Sequence, residues 1–378
     1  MPSYAVPGMH LARRPWAPSF LLPPMKLRAA LVILSLTLSV IIGFVIARGG
    51  TSDRGPATNA RPLIGLSMDT LKEERWVGDR NKFVARAKEL GADVLVQSAN
   101  SDDTRQISDI ESLISRGVDA LVIIPHDGAA MAAGVRRAQK AGIPVLAYDR
   151  LITDCDLDLY MTFDNVRVGE LQAQFLADRF AAMGGGKKRI VRIYGSRTDN
   201  NASLFKAGQD KVLEPLIASG AIEVIHEDWA QDWKPENAKR IANAAITLAG
   251  RNIDAILASN DGTAGGAIQA LLEEGLAGKV LVTGQDADLA ACQRIVGGTQ
   301  SMTIYKPLTQ LATQAAEVSV KMATGKPIVA KSELFNGQVN VPSVLLEVVS
   351  VTKENLEATV VADGFHPREA IYGSASKR

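Results

Sequence analysis

The chain is poor in the residues that carry most covalent and metal chemistry: two cysteines, four histidines and 5% aromatic side chains in 378 residues. So few cysteines exclude a small fold stapled by disulfides. No Gly-x-Ser-x-Gly elbow occurs, and His10, His126, His226 and His366 lie far apart with no metal or triad spacing. With 42 basic against 41 acidic side chains the net charge is +1, without the basic excess of a nucleic-acid binder. What is present is 47% hydrophobic and 22% charged residues, which excludes disordered and collagen-like chains. At about 100–200 residues per domain, the length predicts two domains with full cores.

The charge is uneven. Residues 1–47 hold Arg13, Arg14, Lys26 and Arg28 and no acid, so the remainder carries −3. Ala29 to Ala47 is a 19-residue uncharged stretch flanked by Lys26, Arg28 and Arg48. It reads as a cleaved export signal or a single membrane anchor. Its length argues for an anchor, since about 20 apolar residues span a bilayer. Ser35, Thr37, Ser39 and Gly43 dilute it, and Val45-Ile46-Ala47 suits cleavage. No cysteine precedes Cys155, so the lipid-bearing cysteine of a lipoprotein is absent. Residues 1–24 read as a leader ahead of a more natural start at Met25, 25–47 as the signal or anchor, and 48–61 as a polar linker. All that follows is expected to be exported, to the periplasm or the outer face of the cytoplasmic membrane.

From Leu63 a short apolar run ending in a polar residue alternates with helical stretches. The runs are 63–69, 94–99, 120–125, 145–149, 160–164, 190–195, 222–228, 255–261, 280–286 and 301–306. Continuous Val/Ile/Leu runs between amphipathic segments are what a parallel sheet covered on both faces requires, so the fold class is α/β. Glu73 to Leu90 shows helical spacing, with Gly91 as its cap.

Asp69, Asp149, Asp164, Asp261 and Asp286 close five of the runs, and Lys306 a sixth. Ligands of an open parallel sheet sit outside the carboxyl ends of its strands, so these side chains are expected to converge on one crevice. A lone aspartate there is more often a turn former or helix cap, and six charged termini in ten units shift that balance toward a polar ligand site. Two apparent motifs dissolve on inspection. Gly184-Gly185-Gly186-Lys187-Lys188 precedes a strand where a phosphate loop follows one, and reads as a turn. Asp154, Asp156 and Asp158 lack the glycine and glutamate of a calcium loop, and read as a solvated acidic loop. Cys155 and Cys292 are free thiols or a disulfide pair; spacing does not decide.

Arg75-Trp76, Asp149-Arg150, Asp199-Asn200-Asn201, Trp229, Trp233, Asn260-Asp261, Asp286 and Lys306 supply charged donors and acceptors, amides and flat aromatic faces. An indole covers the C–H face of a sugar, while charged groups take its hydroxyl rim through charge-assisted hydrogen bonds. The acids would repel a phosphorylated ligand.

At Glu73-Glu74-Arg75-Trp76 and in segments 96–125, 145–152, 162–174, 199–209, 228–238, 258–271, 284–290, 298–307 and 363–366, the chain resembles the D-xylose-binding periplasmic proteins of ABC-type xylose importers. The likeness runs from Arg61 to His366. It implies a type I periplasmic binding protein: two doubly wound parallel-sheet lobes joined by a three-crossing hinge, with 62–163 and 307–335 in the N-terminal lobe, 164–306 and 336–366 in the C-terminal lobe, and 367–378 a tail. It also implies a ligand set of Arg75, Trp76, Asp149, Arg150, Asp199, Asn201, Trp233, Asn260, Asp286 and Lys306, with Trp76 and Trp233 sandwiching the pyranose. Trp229 is assigned to the core. Ser196-Arg197-Thr198 departs from the Ser-Pro-Val of the family, so Arg197 is expected to alter the pocket edge. The resemblance implies no enzyme, no catalytic residue, no cofactor and no metal, but a monomeric chain with a monosaccharide ligand and an ABC permease and its ATPase as partners. Alternatives are delivery of the sugar to a chemoreceptor or sensor kinase, another aldose such as glucose, arabinose or ribose, and a (β/α)₈ enzyme. A repressor of the same fold is disfavoured, since an apolar stretch stands where a helix-turn-helix is needed.

Overall fold

A computed structural model describes residues 61–184 and 186–373. The leader, the signal or anchor and all of the linker but Arg61 lie outside the described residues, as do Gly185 and 374–378.

The first sheet is built from β1 (Leu63–Met68), β2 (Asp93–Ser98), β3 (Ala120–Ile124), β4 (Val145–Tyr148) and β5 (Leu159–Phe163), with helices α1 (Glu74–Glu89), α2 (Asp103–Ser115) and α3 (Ala132–Lys140) between them. After α4 (Asn165–Ala182) a second sheet collects β6 (Lys188–Tyr194), β7 (Ile222–Trp229), β8 (Ala255–Ala258) and β9 (Leu281–Val282), connected by α5 (Asn200–Ala218), α6 (Pro235–Ala249) and α7 (Asp261–Glu273). Then come α8 (Leu289–Gly297), β10 (Thr303–Tyr305), α9 (Leu308–Ala323), β11 (Ser332–Phe335), β12 (Asn340–Leu346), β13 (Val349–Val351) and α10 (Arg368–Tyr372).

The sheet orders are β11-β12-β5-β4-β3-β1-β2 and β7-β6-β8-β9, parallel except where β11 meets β12; β10 and β13 form an antiparallel ribbon. Both sheets start from their first strand, step outward to the second and return past the first, the doubly wound pattern that leaves a crevice at the carboxyl ends. Neither sheet closes on itself, so the (β/α)₈ barrel is excluded. All ten apolar runs contribute to strands.

The runs are continuous because each strand feeds two cores. In β3, Ala120, Val122 and Ile124 point to the layer of α1 and α9, while Leu121 and Ile123 point to the layer of α2 and α3. In β8, Ile256 and Ala258 pack on one side and Ala255 and Leu257 on the other. At roughly 1.5–3 kcal/mol for each large aliphatic side chain buried, such strands hold both helix layers. Helix α1 ends as expected, at Gly91, whose φ of +80° suits a residue without a Cβ.

The chain passes between the lobes three times: from β5 into α4, from β10 into α9, and from β12 into β13. Two expected boundaries move. Ser343–Leu346 of β12 pairs in parallel with Tyr160–Phe163, so 336–346 belongs to the first lobe. The supposed tail from 367 instead forms α10, whose Ile371 is buried in the core of α8, with Gln293 donating to the Ala370 carbonyl.

Candidate ligand-binding site

One cavity between the lobes, with about 370 Å³ of space not filled by atoms, is lined by all ten residues named above. The first lobe contributes Arg75 and Trp76 from the opening turn of α1 and Asp149 and Arg150 from the turn after β4; the second contributes Asp199, Asn201, Trp233, Asn260 and Asp286, with Lys306 at the second crossing.

Three lining residues hold backbone conformations that the sequence does not advertise. Asp149, Trp233 and Asp286 have φ of +63°, +56° and +102°, a region that non-glycine residues adopt at a cost of order 1–3 kcal/mol. At Asp149 the surroundings offset this: its carbonyl accepts from Thr162 Oγ1 at 2.7 Å, Tyr160 Oη at 2.9 Å and Asn201 Nδ2 at 3.0 Å. The indole of Trp233 abuts Gly195, where a Cβ would clash with three of its ring carbons, and its Nε1 donates to Asp199 Oδ2 at 3.1 Å. Only glycine permits that approach.

Charges across the cleft are paired. Arg75 reaches Asp149 at 2.8 Å, Asp286 at 3.2 Å and Asp79 at 3.3 Å. Lys306 reaches Asp286 at 2.8 Å, and Arg150 joins Asp69 at 2.7 Å to Asp199 at 3.0 Å. Burial alone would raise the Asp149 and Asp286 carboxyls, but Arg75 and Lys306 hold both below the ordinary carboxylate range. At Asp79 and Asp199 burial prevails over the arginines and moves the carboxyls upward. The Arg75 guanidinium also covers Trp76, 4.1 Å from the ring centre.

Not every strand-end acid reaches the cavity. Asp164 accepts from Arg167 N and caps α4. Asp69 stands behind Arg150, and Asp261 is buried beneath the site, accepting from Gln300, Thr303 and the Asp288 amide. Asn260 does both jobs: its Oδ1 caps α7 through Thr263, and the residue lines the cavity. Arg197 does not shape the pocket edge as expected. It is exposed and lies 4.5 Å over the ring of half-buried Trp229, which also packs on Tyr194 and stays outside the cavity. The thiols of Cys155 and Cys292 are buried in separate cores and unpaired.

Glu73, Phe205 and Gln285 line the cavity but escaped the sequence reading. Phe205 carried a signal, sitting one helical turn after Asn201 on the same face of α5. Glu73 and Gln285 adjoin named residues, with nothing in their spacing to single them out.

Residues 64–327 match the model of the periplasmic binding protein domain. The chain is 52% identical to the D-xylose-binding periplasmic protein of Haemophilus influenzae, over 82% of this chain and 92% of that one, and 51% identical to its counterpart from Escherichia coli over the same shares. Among solved structures, a carbohydrate transporter solute binding protein from Chloroflexus aurantiacus in complex with D-glucose is similar, with a TM-score of 0.77 and 31% identity over 82% of this chain and 98% of that one. Two wound lobes, a lined crevice between them and these likenesses agree: the chain belongs to the periplasmic binding proteins of type I, in the family of the D-xylose-binding periplasmic proteins.

Proposed function

We propose that this protein captures D-xylose between its lobes outside the cytoplasmic membrane and delivers it to the permease and ATPase of an ABC importer. The carrying observation is the cavity's charge pattern: Glu73, Asp149, Asp199 and Asp286 face Arg75, Arg150 and Lys306, and all but Glu73 are tied into ion pairs within the site. Such a lining suits a neutral ligand with many hydroxyls and repels a phosphorylated one. Trp76 and Trp233, from opposite lobes, offer the faces for a sugar ring. The relatives sharing half of its residues carry xylose in their names, which favours a pentose over the glucose held by the more distant structure.

The ten named residues contact the sugar in this reading. Ligand bound to one lobe gains the other lobe's contacts only on closure, so it shifts the population toward the closed form that the permease recognises. The protein works as a monomer, since one chain supplies both walls of the cavity, and it is a binding protein, not an enzyme. The same closed surface would serve a chemoreceptor or sensor kinase, a role that neighbouring permease and ATPase genes would distinguish from import. A thermal-shift screen over common aldoses tests the ligand: at 100 times its dissociation constant a ligand stabilises by about 2.7 kcal/mol. A shift for xylose above glucose, arabinose and ribose is expected; no shift with any monosaccharide overturns the reading.

A further inference from the structure

Beside the sugar cavity, a small gap is bounded by Asp69, Glu73, His126 and Arg150 from the first lobe and by Ser196 and Asp232 from the second, among others. His126 follows β3, and its amide donates to Gln106 Oε1 at 2.8 Å, which fixes the residue to its own lobe. Its ring stands between two carboxylates: Nδ1 lies 3.0 Å from Asp69 Oδ1, and Nε2 lies 4.0 Å from Asp232 Oδ1 across the cleft, a charge-to-charge separation longer than a hydrogen bond. Asp69 in turn holds Arg150 at 2.7 Å, and Arg150 lines the sugar cavity.

Asp232 is itself an unusual residue, at φ +54° in the turn that presents Trp233. Other contacts converge on this turn and its neighbours. Lys72 Nζ donates to the Asp232 carbonyl at 3.3 Å, and the Gly128 amide donates to the Thr198 carbonyl at 3.3 Å, both from the first lobe to the second. Lys234 pairs with Asp232 within the second lobe at 3.0 Å.

We propose that His126 is a proton-linked latch of the closed form: its imidazolium ties Asp69 and Arg150 of the sugar-lining lobe to Asp232 of the opposite lobe. The inference rests on the sugar-clamping function proposed above and adds a residue that positions the site without touching the ligand. A neutral ring has one N–H and turns a lone pair toward one of the two carboxylates; the charged ring presents an N–H to each and attracts both. Closure brings Asp232 to the ring, so it favours the charged form, and by linkage protonation favours closure. The groups facing the ring are mostly acidic. Asp69, Asp103, Glu73 and Asp232 outnumber Arg150 among its neighbours, while Lys72 pairs with Glu73 and Lys234 with Asp232. The Asp69 carboxylate beside it moves the His126 pKa upward against the effect of burial.

Titration calorimetry with D-xylose between about pH 5.5 and pH 8.5, in buffers of different ionisation heat, measures affinity and proton uptake together. The expected result is affinity about fivefold weaker at the alkaline end, with net proton uptake on binding near neutral pH. His126→Gln should lose both features, and Asp232→Asn should weaken both while leaving binding intact. Asp261, which also titrates near neutrality, is present in every variant and cancels in the comparison. A pH slope and proton uptake unchanged in His126→Gln and in Asp232→Asn overturn the latch while leaving sugar binding in place. Absence of heat with xylose at every pH overturns the ligand reading instead. Small-angle scattering of the sugar-free protein then decides the latch: a radius of gyration smaller at acid pH in the parent but not in His126→Gln supports it, and a radius unchanged with pH overturns it.

Discussion

Arg75 Nη1 lies 3.2 Å from Asp286 Oδ1, across 211 positions of sequence and across the cleft between the lobes. The same guanidinium reaches Asp149 in its own lobe at 2.8 Å. One side chain therefore closes the cavity wall and couples the two halves of the site. Its burial makes the coupling costly to break, because removing one partner of a desolvated pair leaves the other charged and unsatisfied.

Replacing Asp286 with alanine should expose that cost. Arg75 and Lys306 would both lose an acceptor, at roughly 1–3 kcal/mol for a neutral partner and more for a charged one. Xylose affinity is expected to fall more than ~10-fold in titration calorimetry. Unchanged affinity would remove Asp286 from the site.

Gly195→Ala tests the seat of Trp233. The new Cβ would fall on the indole ring, so the ring has to move and the Nε1 bond to Asp199 lengthens. We expect weaker xylose binding, by about 10-fold or more, with unfolding still cooperative. Retained affinity together with an unchanged near-ultraviolet circular dichroism spectrum would mean that the indole does not rest on this glycine.

Much of this architecture is legible in the residues. Ten apolar runs became strands because a strand buried on both faces leaves a continuous Val/Ile/Leu signature. Asp149, Asp286 and Lys306 were visible as polar punctuation at the ends of such runs. What the sequence hides is of another kind. Strands β11 to β13 lie near the sheet edge or in a short ribbon, with exposed residues such as Ser332, Glu333 and Asn340 interrupting the apolar pattern, so the first lobe's return through β12 left no comparable signal. Positive φ at Asp149, Trp233 and Asp286 has no glycine to mark it. The division of labour among the strand-end acids, with Asp164 capping and Asp261 supporting, depends on which neighbours tertiary contact supplies.

Asp261 carries a pH dependence of stability. Burial first, and then the nearby Asp286 charge, push its carboxyl from 3.8 up to about 7. The folded protein thus keeps a proton that the unfolded chain has released, so this group makes stability fall as pH rises from about 4 to about 7, with no further change above. Asp261→Asn cannot titrate. Urea midpoints measured across that range should decline with pH more steeply in the parent than in the variant, and parallel slopes would refute the assignment.

The two thiols provide a check on compartment chemistry. Burial raises Cys155 to about 11 and Cys292 to about 12, so neither presents a thiolate near neutral pH. A thiol reagent should label both only after denaturation, and a reductant should leave the melting temperature unchanged. Rapid labelling of the native protein would show that one of these cores opens.

The crossings from β5, β10 and β12 set how the clasp can let go. Lys306 stands at the foot of one of them, and Arg75 and Arg150 reach across from the far jaw, so parting the jaws breaks the Arg75–Asp286 and Arg150–Asp199 pairs in the same motion that frees the sugar, while Asp149 and Asp69 keep their arginines. Rehydration of those ions compensates for the contacts surrendered, and a carrier made this way can grip a scarce nutrient firmly without becoming a trap for it.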